Sequence, residues 1–219
     1  FMKKIFSIFT ILIALSTFAF ANNINTEIDL SYQYAGRSLN FYNPSGTISE
    51  NSPVGVNLNA AVYFVSPNQY VDIGFTGNIG IDSFGRIYST SYIPAIGKVF
   101  SAGFAPAFRF NLGSFTSFYV APGFTFDKMT AEVNPDNLYS SIISFEVDAG
   151  YRGWFITNPK YNFGVCAGLK LGVPFAGTFN DSGNSMKITG QLTKKFYLGI
   201  CMNFGTKSDA KRSTFKKVN

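Results

Sequence analysis

Histidine is absent from the 219-residue chain. That removes Ser-His, Asp-His and Cys-His mechanisms and every His-ligated metal site. Cysteine is scarce, and two residues cannot staple a chain of this length into a disulfide scaffold. Charge is scarce as well: Asp, Glu, Lys and Arg make up 14%, against roughly 25% in an ordinary soluble domain. Hydrophobic residues nonetheless reach 46%, too many for a disordered chain. Beyond residue 22 no apolar run approaches helix-spanning length. The length suits one domain.

The formal net charge of +6 belongs to the two ends. Lys3 and Lys4 carry part of it. Lys207, Lys211, Arg212, Lys216 and Lys217, opposed by Asp209, carry the rest. Residues 22–204 hold 11 basic and 11 acidic side chains and are neutral. No basic stripe with interleaved aromatics lies on the body, so no nucleic-acid partner is expected.

At the start, Met2-Lys3-Lys4 precedes an apolar stretch over 5–20, and Ala19-Phe20-Ala21 puts small residues where signal peptidase needs them. This predicts a signal peptide over 1–21, cut after Ala21, and export from the cytoplasm. No Cys near the cut marks a lipid-attachment site. The tail over 205–219 is expected to be a disordered, basic, periplasmic end.

What fills 22–204 is alternation, the mark of strands with two unlike faces. In the first segment Ile24, Thr26, Ile28, Leu30, Tyr32 and Tyr34 take one face; Asn25, Glu27, Asp29, Ser31 and Gln33 take the other. Seven more segments follow, over 54–64, 71–82, 100–111, 118–127, 143–155, 161–173 and 196–204. No charge falls on the apolar face of any of them. Long connections (35–53, 83–98, 128–141, 174–194) alternate with short ones (65–70, 112–116, 156–160), and turn residues such as Pro67-Asn68 and Asn158-Pro159 mark the short ones. The pattern predicts an all-β, eight-stranded antiparallel up-and-down barrel.

The polar face decides between a soluble and a transmembrane barrel. A soluble barrel turns that face to water and covers it with Lys and Glu. Here it carries mostly Gly, Ala, Asn, Ser and Thr, which suit the inside of a narrow barrel. The Phe-rich face would be a large aggregation surface in water. Aromatics gather at the short-turn ends: Phe64, Tyr70, Phe110, Phe118, Trp154, Phe155, Tyr161 and Phe204. They read as an interfacial girdle in outer-membrane lipid. Pro106 and Pro122 lie inside strands and predict a bulge or a local break. Residues 186–192 alternate too and offer an earlier start for the last strand.

A few polar side chains stand out on the inner face: Asp72, Arg109, Glu146, Asp148, Arg152 and Lys170. Buried charges are tolerated when paired. Counting from the turn near Asn158 sets Glu146 opposite Lys170, with Asp148 beside Arg152; Asp72 and Arg109 fall at one depth on neighbouring strands. The expectation is a set of cross-strand ion pairs filling the lumen. Cys166 and Cys201 also face inward on neighbouring strands. An oxidising compartment permits a disulfide between them, and two free buried thiols are the alternative. No catalytic site, cofactor or metal is expected.

The whole body resembles the small eight-stranded outer-membrane barrels of the OmpA transmembrane domain and OmpX type. The segment 197–204 is similar to the final-strand signal read by the barrel-assembly machinery, with Tyr197, Gly199, Met202 and Phe204 at its four places. The resemblance implies a monomeric, non-enzymatic outer-membrane protein. It would act structurally or through four long extracellular loops that meet an outside ligand. The alternative is a small porin-like channel for ions, small solutes or apolar molecules.

Overall fold

The computed structural model describes residues 24–35, 40–43, 46–50, 53–65, 70–88, 92–113, 115–133, 136–157, 161–181, 184–187 and 192–205. The expected signal peptide and basic tail lie outside the described residues. No described residue is helical.

Eight strands form the barrel: β1 (Ile24–Ala35), β2 (Val54–Phe64), β3 (Val71–Tyr88), β4 (Tyr92–Asn111), β5 (Thr116–Val133), β6 (Asp136–Thr157), β7 (Tyr161–Asp181) and β8 (Thr193–Gly205). Each pairs antiparallel with its sequence neighbours, and β1 closes the ring on β8 from Asn25↔Gly205 to Ala35↔Lys195. Closure leaves no sheet edge, the one way a sheet satisfies its backbone in hydrocarbon. The last strand starts at Thr193; Asn184–Lys187 is a separate short strand on β7.

The wall is inside-out through most of its height. Polar groups such as Asn25, Glu27, Asp29, Asn59 and Arg152 are buried, while Leu30, Phe75, Phe104, Phe124 and Leu198 are exposed. An outward apolar surface of this extent is covered by lipid in a stable protein, since patches of a few hundred Å² already drive association in water.

At the long-connection end the polarity reverses. Phe84, Val99, Met129, Leu138 and Ile142 turn inward and are buried. Their neighbours Ser83, Lys98, Lys128 and Thr130 are exposed. Above the lipid the outer face meets water, so the ordinary soluble pattern returns. This reversal corrects the sequence-based boundaries. The predicted connections 83–98 and 128–141 are mostly continued strand, because β3 runs to Tyr88 before β4 starts at Tyr92, and β5 reaches Val133 before β6 starts at Asp136. Reading the apolar face as always outward cuts each strand where its faces exchange roles.

The result is a lopsided cylinder. Strands β3 to β7 have 18, 20, 18, 22 and 21 residues, while β1, β2 and β8 have 12, 11 and 13. Short strands stand over the low side. Asn40–Asn43 pairs with Gly46–Glu50, which joins the top of β3 at Ser49↔Tyr88. Asn184–Lys187 pairs with β7 and lies against Asn40–Asn43.

One seam breaks the wall. Pairing between β4 and β5 stops at Phe104↔Phe124 and resumes at Phe108↔Val120. Pro106 and Pro122 face each other in the gap. Rungs that exchange hydrogen bonds recur at every second residue, so two opposed prolines on such a rung remove both of its donors and three pairings with them.

Candidate functional site

The lumen holds the chemistry. Its polar side chains come from strands all around the ring, so some contacts run along the wall between neighbouring strands and others cross the barrel.

Nearest the short-turn end, Arg109 on β4 reaches across to Glu27 on β1 at 2.5 Å and pairs with Asp72 on β3 at 2.7 Å. It also donates to Asn25, and its guanidinium lies 4.4 Å above the Tyr63 ring. Asn111 donates to the same Asp72 oxygen at 2.7 Å. Arg152 on β6 reaches β1 as well, contacting Asp29 at 2.5 Å and Glu27 Oε2 at 3.2 Å while stacking 3.8 Å from Tyr119. Asn59 donates to Asp29 at 3.1 Å and takes a bond from Thr76 at 2.6 Å. Two arginines and three carboxylates, sandwiched by tyrosines, thus span the lumen. Arg suits this place: its planar fork serves several acceptors at once and stacks on aromatic faces.

One layer further in, Asp148 Oδ1 accepts from Tyr119 and Tyr197, each at 2.9 Å, and the two phenols touch one another. Lys170 stands 4.0 Å from Asp148 Oδ2 and donates to Asn57 on β2 at 3.4 Å. Higher again, Lys195 on β8 lies 3.7 Å from Asp127 and donates to Ser101 on β4 at 3.4 Å; Gln33 donates to Asp82 at 2.6 Å.

Asp72 and Arg109 stand in one rung of the ladder. Glu146 does not stand opposite Lys170, though Lys170 and Lys195 are the cations that act on it through space. The register is Asp148↔Lys170 and Glu146↔Gly172, because the strands meet at Thr157↔Asn162, centred beyond Asn158, and the irregularity between Trp154 and Ile156 takes back only one residue of that offset. Glu146 makes no ion pair or hydrogen bond among the described residues. Arg152 turns from Asp148 to the two acids of β1. Glu27, Asp29, Asp82, Asp127 and Lys195 complete the network and were not singled out from sequence. Glu27 and Asp29 sit on the polar face of the first segment, but pairing by adjacent strands cannot find partners three strands away.

Trp154 is not part of the girdle. It points inward and packs with Cys166 and Cys201. Both thiols are free and buried, and the ladder sets Cys166 opposite Gly199 and Cys201 opposite Gly164, two residues out of step. Of the final-strand residues, Tyr197 belongs to the lumen network, Gly199 packs against Ser31, and Met202 faces out. Among the described residues no group of His, Cys, Asp or Glu is arranged to hold a metal ion.

An inside-out, closed ring of eight antiparallel strands with a polar interior is the fold of the small bacterial outer-membrane barrels. Solved structures bear this out. The chain is similar to Neisserial surface protein A, with 12% identity and a TM-score of 0.51 over 84% of this chain and 97% of that one. It is also similar to the outer membrane protein OprG from Pseudomonas aeruginosa, with 8% identity and a TM-score of 0.55 over 86% and 99%. No protein-family model matches the chain, and no curated protein matches its sequence.

Proposed function

We propose that this chain is a monomeric, non-enzymatic outer-membrane barrel whose lumen is plugged and whose work is done at its tall rim on the cell surface. The 1–21 segment exports it, and the assembly machinery reads 197–204. The observation that carries the reading is the set of cross-lumen contacts. Arg109 and Arg152 reach β1, Lys170 reaches β2, and Lys195 reaches β4. Side chains from opposed strands meet at successive depths, which is how a small barrel fills its interior. Among the described lumen charges all but Glu146 are held in ion pairs or hydrogen bonds, which supports a structural rather than a catalytic role. The rim, by contrast, is built from β3 to β7 and the short strands, and rim segments are where barrels meet outside ligands.

A porin-like channel is the second reading. It draws on the longer lysine contacts, 3.7 Å and 4.0 Å, in the upper lumen. Planar-bilayer recording separates the two. The plugged barrel gives no steady openings in wild type and gains them when Arg152→Ala and Arg109→Ala remove the lower cross-braces. Steady wild-type openings would establish transport and refute the plug.

A further inference from the structure

Cysteine occurs twice in the chain, and the two residues lie in one place. Cys166 on β7 and Cys201 on β8 face the lumen, each 1% exposed. Their ladder positions are diagonal, with Cys166 opposite Gly199 and Cys201 opposite Gly164. Diagonal side chains on one face of a sheet come within reach of each other. The Cys201 thiol hydrogen-bonds the Cys166 sulfur, and Cys166 donates to the Ile200 carbonyl at 3.8 Å.

The charged groups beside the thiols are already engaged. Arg152 stands opposite Cys166 and Asp29 opposite Cys201 in the ladder, and the two are paired with one another at 2.5 Å. Asp29 also accepts from the Asn59 amide. Trp154 completes the cluster. Its ring lies against Gly164, where an added Cβ would run into the ring and the Gly153 carbonyl. The Trp154↔Gly164 rung lies between Cys166 and the short-turn mouth. The indole, itself 8% exposed, is therefore a thin cover over the sulfurs on that side.

Two thiols in a chain without histidine make a donor set of narrow preference. Zinc takes four ligands, and no group of three or more His, Cys, Asp or Glu is assembled among the described residues. A soft monovalent ion with a filled d shell prefers sulfur, and two thiolates in a line satisfy it. At a zinc-like metal–sulfur length of ~2.3 Å, a linear bridge spans about 4.6 Å. That is a little more than the separation of hydrogen-bonded thiols, so a small rotation of each side chain admits the ion.

We infer that Cys166 and Cys201 form a two-coordinate site for a soft monovalent metal ion, copper(I) or its analogue silver(I), behind the cover of Trp154. Binding is an exchange without oxidation or reduction: one ion replaces two thiol protons, which pass to solvent. The product is an anionic bis-thiolate beside the Arg152 guanidinium. The site rests on the barrel fold and the free thiols, and is independent of whether the lumen conducts.

The test adds silver ion in chloride-free buffer to the full mature barrel in detergent, purified without reductant. Native mass spectrometry is expected to count one silver per barrel with two protons lost. Emission from Trp154 is expected to fall as the site fills, and copper(I), added without oxygen, to displace the silver. Changing a residue that merely supports a ligand costs roughly 10–100-fold in metal affinity, so C166S and C201S, which each remove a ligand, are expected to lose more than about 100-fold. M129L, which removes a sulfur elsewhere in the lumen, is expected to bind as wild type does. A heat-dependent gel shift establishes that each variant is folded. X-ray absorption at the silver edge needs no variant and is expected to find two sulfur neighbours in wild type. Undiminished loading of a folded C166S/C201S variant overturns the site, as does a shell of oxygen or nitrogen in wild type. A wild-type barrel with no titratable thiols overturns it too. Planar-bilayer silence is read separately, so failure of the metal site leaves the plugged-barrel reading standing, and steady openings refute the plug without touching the thiols.

Discussion

Replacing Arg152 by methionine is the most informative single change. The guanidinium is fully buried, contacts Asp29 at 2.5 Å and Glu27 at 3.2 Å, and stacks on Tyr119 at 3.8 Å. Methionine preserves much of the volume and removes the charge. Glu27 keeps Arg109 at 2.5 Å, but Asp29 is left with the amide of Asn59 at 3.1 Å. Breaking a buried pair in this way costs about 3–5 kcal/mol, chiefly through the carboxylate left unpaired. Adding Asp29→Asn removes that carboxylate, and the double variant recovers about half of the loss. With a urea slope of about 2–3 kcal/mol/M, the unfolding midpoint of Arg152→Met falls by roughly 1–2 M and partly returns in the double variant. The chain has a single Trp, Trp154, buried in the lumen wall two residues from the mutation, so its fluorescence reports unfolding in vesicles directly. The reasoning is refuted if Arg152→Met costs under about 1 kcal/mol, or if Asp29→Asn destabilises the variant as much as it does wild type, since coupled residues must show a non-additive cycle.

Two further outcomes follow from the same interior. Asp148→Asn, which disturbs two phenols and Lys170, is expected to cost about 1–3 kcal/mol, whereas Glu146→Gln, which removes a buried carboxylate that has no hydrogen bond or close ion pair among the described residues, is expected to be neutral or slightly stabilising; the reverse order would restore the sequence-based Glu146–Lys170 pairing. Cys166 and Cys201, both 1% exposed and free, should resist maleimide in the folded barrel, while denaturation without reductant should release two titratable thiols; a count of zero would show that the two close into a disulfide.

The barrel itself is legible in the sequence because two-residue periodicity survives every tertiary influence: a one-residue slip would turn Leu30 inward and Asp29 into lipid. Strand ends were not legible, for a reason specific to this wall. Lys98 and Val99 keep perfect alternation, but with the faces exchanged relative to Phe100 and Ser101. A rule that equates apolar with outward sees an end where the strand continues. The ion pairs divide similarly. Asp72 and Arg109 are adjacent in one rung and were within reach of counting from the turns. Glu146 and Lys170 are misaligned by a count from Asn158 because the pairing starts at Thr157↔Asn162, and Asn158-Pro159 marks a turn without fixing its centre. Arg152 with Asp29 was out of reach, since nothing in linear order says that β6 faces β1 across a cylinder.

The distribution of lumen charge bears on function more than its total. Among the described residues seven carboxylates face inward (Glu27, Asp29, Asp72, Asp82, Asp127, Glu146 and Asp148) against four cations (Arg109, Arg152, Lys170 and Lys195). The two arginines sit low, with contacts of 2.5–3.2 Å to three acids and a tyrosine face beneath each. The two lysines sit higher, with carboxylate contacts of 3.7 and 4.0 Å. Ion pairs weaken as they lengthen and as water enters between them. If the interior loosens, it does so from the tall rim downward and stops at the arginine layer. A lumen graded in this way becomes a blind, acidic vestibule before it becomes a pore. That order favours a protein that presents a rim over one that conducts, and it places the decisive perturbation at Arg109 and Arg152: opening the barrel requires breaking its tightest contacts, not its loosest.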